Sequence, residues 1–176
     1  MSGRDGSYCS GKNQGLTVLA TTRSQGKVAT LRERGADHVL IDTGKVADEV
    51  KRLVPGGVNA ALELVGASAL PDSLQAAAPK GIVCMTGALD YTWEIEHFYP
   101  MGTIPPTVRL TNYASSATNT RESTLLLQRI VDDVKAGRYS SGLDKVFPFH
   151  EIVDAHRYME ANSASGKVVV MINDME

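Results

Sequence analysis

The sequence predicts an α/β fold with an open, mostly parallel sheet. Three observations lead to it. Apolar segments of strand length alternate with helical ones, the first strand is apolar at most of its positions rather than at alternate ones, and Gly or Pro-Gly punctuation closes the segments. A strand covered on both faces needs that near-continuous apolar run. Parallel neighbours need a connection long enough to hold a helix, and such crossovers are right-handed.

Residues 16–22 are the first predicted strand. Ser24 is a fair N-cap for a helix running to about Arg34, and Gly35 closes it where a left-handed residue is needed. Residues 38–41 are a second strand, and 47–54 a helix stopped by Pro55-Gly56-Gly57. Residues 58–65, "VNAALELV", are a third strand, 66–78 a turn and helix, and 82–86 a fourth strand. The second half is less uniform. Residues 90–106 hold the single tryptophan, Trp93, with Tyr91, Phe98 and Tyr99, and show no clear period. Residues 107–115 alternate and contain β-formers, so they read as a strand. Residues 121–136 form an amphipathic helix, with Leu125, Ile130 and Val134 near helical spacing and Gly137 after it. A helix over 152–162 and a strand over 167–172, "KVVVMI", follow. Residues 1–15 are a polar leader or cloning remnant with no strand.

The chain has 176 residues, enough for one core or two small ones. A net charge of −2 argues against generic nucleic-acid binding, which runs on basic patches. No apolar run reaches the length of about eighteen residues that a membrane span needs, and the N-terminus lacks a signal-peptide core. No nucleic-acid or membrane partner is therefore expected. Cys84 lies in the apolar run Ile82-Val83-Cys84-Met85 and reads as a buried thiol, Cys9 as an exposed one; both fit a reducing, cytoplasmic setting. The four histidines, His38, His97, His150 and His156, are scattered without ligand spacing, so no metal site is expected.

Open α/β sheets bind ligands outside the carboxyl ends of their strands. Those ends read Thr21-Thr22-Arg23-Ser24, Asp42-Thr43-Gly44, Val65-Gly66-Ala67-Ser68 and Thr86-Gly87-Ala88. In a dinucleotide-binding sheet a carboxylate at such an end suits the 2′-hydroxyl of NAD, whereas an arginine suits the 2′-phosphate of NADP. Arg23 can fork two bonds to a phosphate, Thr22 and Ser24 can donate hydroxyls, and Lys27 adds a charge one turn on. A solvated helix start with a basic first turn explains the same residues equally well. Val65-Gly66 and Gly87 fit close backbone approach to a ribose or nicotinamide, or simply start turns. Glu63, inside an apolar strand, is either a buried carboxylate or faces a neighbouring helix end. Ser68, Asp72 and His97 lack the spacing of a nucleophilic triad, and no nucleophile elbow or phosphate-binding Walker loop is present. His156 reads as structural and Tyr113 as a core aromatic, with proton donation or stacking as its other reading. No catalytic residue is assigned.

The segments "GLTVLATTRSQGKVATLRERGADHVLID", "GGVNAALELVGA", "KGIVCMTGAL", "IPPTVRLTNYAS" and "EIVDAHRYMEANSASGKVVVMI", in this order, resemble the C-terminal half of the medium-chain dehydrogenase/reductases. The likeness is to their zinc-independent quinone oxidoreductase branch, and it runs from Gly15 to about Ile172. The resemblance implies a doubly wound, Rossmann-like sheet and NADPH-dependent reduction of a small-molecule quinone or activated alkene, with the cofactor supplying the hydride. Position by position, Thr22, Arg23, Ser24 and Lys27 match the family's 2′-phosphate region, Val65 and Gly66 its ribose-side turn, and Gly87 the turn near the nicotinamide. Asp42 departs from the pattern and would weaken a preference for NADP if it faced the same phosphate. Family members pair edge to edge through the strand that corresponds to Thr107 through Tyr113, which implies a homodimer.

The resemblance also implies what the chain lacks: the family's N-terminal catalytic domain, and the first strand, glycine-rich loop and first helix of its sheet. The expected organisation is a leader at 1–15, a partial, truncated dinucleotide-binding domain at 16–142, and a tail at 143–176 that would pack on the absent catalytic domain. The missing strand is central in this topology. A vacant place would leave backbone donors unpaired at roughly 1–3 kcal/mol each, so rearranged pairing of the first strand or a strand from a partner is expected instead. Cofactor affinity is expected to suffer. The alternative is a non-catalytic, self-associating module that keeps the fold and binds no nucleotide.

Overall fold

The apolar runs become strands that are mostly shorter than the runs themselves. They are β1 Leu19–Thr22, β2 His38–Ile41, β3 Val58–Glu63, β4 Ala77–Met85, β5 Arg109–Asn112, β6 Leu143–Pro148 and β7 Lys167–Met171. The helices are α1 Val28–Glu33, α2 Ala47–Leu53, α3 Leu70–Ala76, α4 Pro100–Thr103, α5 Arg121–Lys135 and α6 Ile152–Glu160. The computed structural model describes residues 11–12, 14–114, 120–161, 164 and 166–172. Cys9, Ser115 and Asn162, which figure in the sequence reading, lie outside them.

Three elements differ from expectation. α4 is a short helix in the stretch 90–106, which shows no clear period in the sequence. β6 was not anticipated, because Asp144 and Lys145 interrupt its apolar character and Pro148 ends it. β4 begins at Ala77 rather than Ile82. The early part of β4 is irregular. Lys80 adopts φ of 65°, and the register with β3 shifts between Val58 and Ala60. Gly81 sits where a Cβ would come within 3.0 Å of the Val58 carbonyl oxygen.

The fold is a Rossmann-like α/β architecture of mostly parallel strands. Among the described residues the strands form three sheets, ordered β1-β2, β3-β4-β5 and β6-β7. In the first, the amides of His38 and Asp42 donate to the carbonyls of Val18 and Thr22, so both strands advance in one direction. β1 does not pair with β3. The expected rearrangement of β1 into the central place is not seen among the described residues, where β1 pairs with β2 and with no other strand. In the second sheet β3, β4 and β5 are parallel, with Glu63 opposite Met85 and Met85 opposite Asn112. Equal register brings the carboxyl ends of all three strands to one edge.

The described chain divides into two compact units. One contains the described residues among Thr21–Val28 and Val39–Thr124. Its core is Leu70, Leu74, Ala77, Val83 and Val108, backed by Ala61, Met85, Ile95 and Ile104. Leu74 and Val83 are fully buried, so the crossover helix α3 and the middle strand β4 lock together by apolar burial. Asp72 on α3 also accepts the amides of Val46 and Ala47 at 2.7 and 3.1 Å, capping the start of α2. Cys84, expected to be buried, is partly exposed on β4.

The other unit contains the described residues among Met1–Ala20, Ala29–His38 and Leu125–Glu176. Here β6 and β7 pair in parallel across α6. Phe147 is buried and tilts against Tyr158 with ring centroids 6.0 Å apart. Lys145 Nζ lies over both rings, at 4.5 and 5.0 Å. His156, read as structural from burial habits, is exposed on α6. Tyr158 Oη donates to Asp144 Oδ2 at 2.8 Å, and this bond, with some burial and the nearby negative charge, raises the phenol's pKa. A raised folded pKa favours the protonated phenol, so the contribution to stability is complete below the unfolded value of about 10 and is lost as pH rises through the folded value. Alkaline titration followed by tyrosine absorbance is expected to show Tyr158 ionising above the ordinary phenol value of about 10, and Asp144→Ala is expected to lower it.

Candidate functional site: the carboxyl ends of the strands

The first cluster forms where β1 and β2 end. Thr22 is buried, and its Oγ1 accepts the Ser24 amide at 3.1 Å. The Asp42 amide donates to the Thr22 carbonyl at 2.8 Å, which seats Asp42 beside this turn. One Asp42 carboxylate oxygen accepts the Gly44 amide at 2.8 Å, with Gly44 at φ of 95°. Arg23 and Ser24 are exposed, and Arg23 forms no ion pair among the described residues. Lys27 is half-buried at the end of a 3₁₀ turn, Gln25–Lys27, whose amide returns to the Ser24 carbonyl at 3.1 Å.

This geometry corrects one expectation. Ser24 precedes the turn in extended conformation but makes no side-chain cap, and the α-helical part, Val28–Glu33, has only six residues. Gly35 does take the left-handed conformation, at φ of 102°. Arg23, Ser24 and Lys27 therefore stand at this turn without a long aligned helix end behind them.

The second cluster joins the ends of β3 and β4. The Thr86 amide and hydroxyl both donate to the Glu63 carbonyl, at 2.8 and 3.2 Å. Leu89 and Asp90 amides donate to the carbonyls of Leu64 and Val65, at 3.3 and 2.9 Å. Glu63 is 5% exposed, so the buried-carboxylate reading holds. Its Oε1 accepts the amides of Val65 and Gly66, at 2.6 and 3.3 Å, and its Oε2 accepts the Ser73 hydroxyl of α3. The reading that Glu63 meets a helix end holds as well, since Ser73 lies in the first turn of α3.

Gly66 has φ of 140°, and a Cβ there would overlap the Asp90 carboxylate and come 3.1 Å from the Thr92 carbonyl oxygen. Asp90 is fixed by the Ser68 hydroxyl and by the Thr92 amide at 2.9 Å; these bonds, the Ser68 one foremost, hold its pKa below the ordinary carboxylate value. The Ala67 amide donates to the Thr92 carbonyl. At Gly87 a Cβ would meet the Leu64 carbonyl oxygen at 2.7 Å. The structure thus brings Val65, Gly66 and Gly87 together, and places Thr22, Arg23, Ser24 and Lys27 in a separate cluster of the same unit. The close approach at Gly66 and Gly87 is made by the chain's own atoms.

Sequence reasoning missed the Asp90–Ser68 bond and the capping role of Asp72. The first joins residues 22 apart, and only the neighbouring Asp90–Thr92 bond had a local signal, an Asp two residues before the amide it accepts. The second joins residues far apart in the chain and had none. Tyr113, expected in the core, is 50% exposed just beyond β5.

With this geometry in hand, the relationship to known proteins can be stated. Residues 34–170 match the family model described as zinc-binding dehydrogenase, so the chain belongs to that family; it corresponds to the C-terminal portion of medium-chain dehydrogenase/reductases. It is 28% identical to a 2-haloacrylate reductase of Burkholderia sp. over 167 residues, which is 91% of this chain and 49% of that protein. Among solved structures it is similar to a mycobacterial quinone oxidoreductase at 23% identity and TM-score 0.83, covering 96% of this chain and 53% of that one. A mycobacterial protein complexed with NADPH superposes with TM-score 0.78 at 23% identity, over 94% of this chain and 52% of that one. The chain spans about half the length of the curated relative it matches.

The family description names zinc. Among the described residues no three His, Cys, Asp or Glu side chains converge as metal ligands. No described helix is long and apolar enough to cross a membrane.

The tight joint between Leu64 and Gly87 is open to test. Gly87→Ala is expected to cost about 1–3 kcal/mol of stability through overpacking against backbone. Gly26→Ala serves as control, because its Cβ would meet only the Ser24 hydroxyl, at 3.8 Å. Thermal melting of the two variants beside wild type checks both.

Proposed function

We propose that this chain is the cofactor-binding part of an NADPH-dependent oxidoreductase acting in the cytoplasm on a quinone or an activated alkene. The observation that carries the reading is Arg23, exposed and without an ion pair among the described residues, at the carboxyl end of β1 and flanked by Ser24 and Lys27, in a chain of the dehydrogenase family. Bound NADPH supplies a hydride; the chain's own residues bind and orient it. Arg23 forks two bonds to the 2′-phosphate, Ser24 donates its hydroxyl and Lys27 adds charge. Thr22 contributes by holding the turn from beneath, since its hydroxyl is buried against the Ser24 amide. Asp42 has one oxygen committed to its own turn, which limits its repulsion of a phosphate.

At the other cluster the amides of Val65 and Gly66 are already bonded to Glu63, so Val65, Gly66 and Gly87 offer the ribose and nicotinamide a shaped surface, not hydrogen-bond donors. Self-association through β5 accompanies this reading. β5 is the last strand in the order β3-β4-β5 and is exposed along its length, as is Tyr113 beyond it.

One observation favours the second reading, a self-associating module without nucleotide binding: the space beside Gly66 and Gly87 is filled by the chain itself. The two readings part in calorimetry and thermal-shift measurements. NADPH is expected to bind and raise the melting temperature more than NADH, with adenosine 2′-phosphate competing. Loss of a charged hydrogen-bond partner costs about 1.5–3 kcal/mol, so Arg23→Ala is expected to weaken NADPH roughly tenfold or more and to leave NADH little changed. No shift with any nucleotide, together with a stable dimer, would decide for the second reading.

A further inference from the structure

Glu63 is the charged residue on β3, and nothing in the proposed binding of NADPH requires it to touch the cofactor. It is nonetheless buried, and both its oxygens are engaged by groups that converge from two elements. Oε1 takes the amides of Val65 and Gly66, and Oε2 takes the Ser73 hydroxyl from the first turn of α3. Desolvating a carboxylate is costly unless donors surround it. Here the donors are the backbone of the strand-end turn itself, so the charge and the turn conformation depend on each other.

We infer that Glu63 is a positioning residue: it pins the Val65–Gly66 turn to α3 through Ser73 and so sets the surface that receives the nicotinamide half of the cofactor. This assignment rests on the NADPH reading above and deepens it. Release of the carboxylate would free two amides and let the turn change conformation. Gly66 makes that change easy, since a residue without Cβ at φ of 140° has other conformations open to it. The Asp90 loop, packed on Gly66, would move with the turn. The Arg23 cluster is built on β1 and β2 and shares no hydrogen bond with Glu63. The consequence is a separation of effects. Loss of Glu63 damages recognition of the nicotinamide half and spares recognition of the adenosine 2′-phosphate half.

Two probes read that separation in the chain as it stands: NADPH, and adenosine 2′,5′-bisphosphate, which lacks the nicotinamide half. Their dissociation constants are measured by calorimetry for wild type, Glu63→Ala, Glu63→Gln and Ser73→Ala, with melting temperatures alongside. Glu63→Ala is expected to weaken NADPH by about tenfold or more while the bisphosphate changes by no more than about twofold. Glu63→Gln is expected to restore most of the NADPH affinity, because its amide oxygen can still accept the Val65 and Gly66 amides. Ser73→Ala removes only one donor and keeps the test alive if Glu63→Ala fails to fold; it is expected to move the same ratio by a smaller factor. Equal loss of both probes, or an unmoved ratio in the folded variants, overturns the assignment while leaving the cofactor reading in place. Wild-type chain that binds neither probe overturns the cofactor reading and this assignment with it.

Discussion

The parallel register of β3 on β4 is the constraint on which the rest depends. It sets Ala60 opposite Ile82 and Glu63 opposite Met85, so both strands end together and their next residues, Leu64 and Thr86, meet at once. The register is enforced from the apolar side. Val83 is fully buried against Leu74 of the crossover helix, and a slip of one residue would turn Val83 outward and Cys84 inward. Once the ends are level, Glu63 can fold its carboxylate back onto the turn that follows it, and Gly87 can press against the Leu64 carbonyl. Sheet packing thus becomes site geometry with no additional element.

The same logic explains why two clusters arise and not a single continuous groove. β1 and β2 deliver Thr22, Arg23 and Asp42 to one strand end, and β3 and β4 deliver Val65, Gly66 and Gly87 to another. Between these two groups in the sheet order there is no hydrogen-bonded strand among the described residues. The first cluster is polar, with Arg23 and Ser24 exposed over a buried Thr22. The second is closed on itself, its amides and carbonyls consumed by Glu63, Leu89, Asp90 and Thr92. Under the proposed function, recognition by the first would rest on charge and by the second on shape.

Much of this was legible in the sequence. Apolar runs placed β2, β3 and β7 almost to the residue, although β3 is exposed at Asn59, Ala60 and Leu62. Gly35, Gly137 and Pro55-Gly56-Gly57 marked helix ends, since their conformations are demanded locally; Gly35 and Gly137 sit at φ of 102° and 71°. What escaped was set by tertiary context. β6 carries Asp144 and Lys145, which meet Tyr158 of α6 fourteen residues beyond Asp144, outside the strand's own window of sequence. Ser24 has the composition of a cap, yet its amide is taken by Thr22 and the chain enters a 3₁₀ turn instead. Amphipathicity predicted α5 correctly, but Leu126, Leu127 and Ile130 remain exposed on it, so a helical apolar stripe does not by itself fix its own burial. The sequence reads Gly66 and Gly87 as positions of close approach to a ligand or as turn starts; the groups that approach them in the structure are Asp90 and Leu64.

The central claim is that nucleotide meets this chain at the carboxyl ends of its strands, with the phosphate at Arg23. Backbone amide NMR of the labelled chain, titrated with NADPH, tests it most directly. The account predicts saturable shifts at Arg23, Ser24 and Lys27, with a second group at Val65, Gly66 and Gly87. Shifts confined to β6, α6 and β7, or to the opposite ends of the strands around Val58 and Gly81, would contradict it.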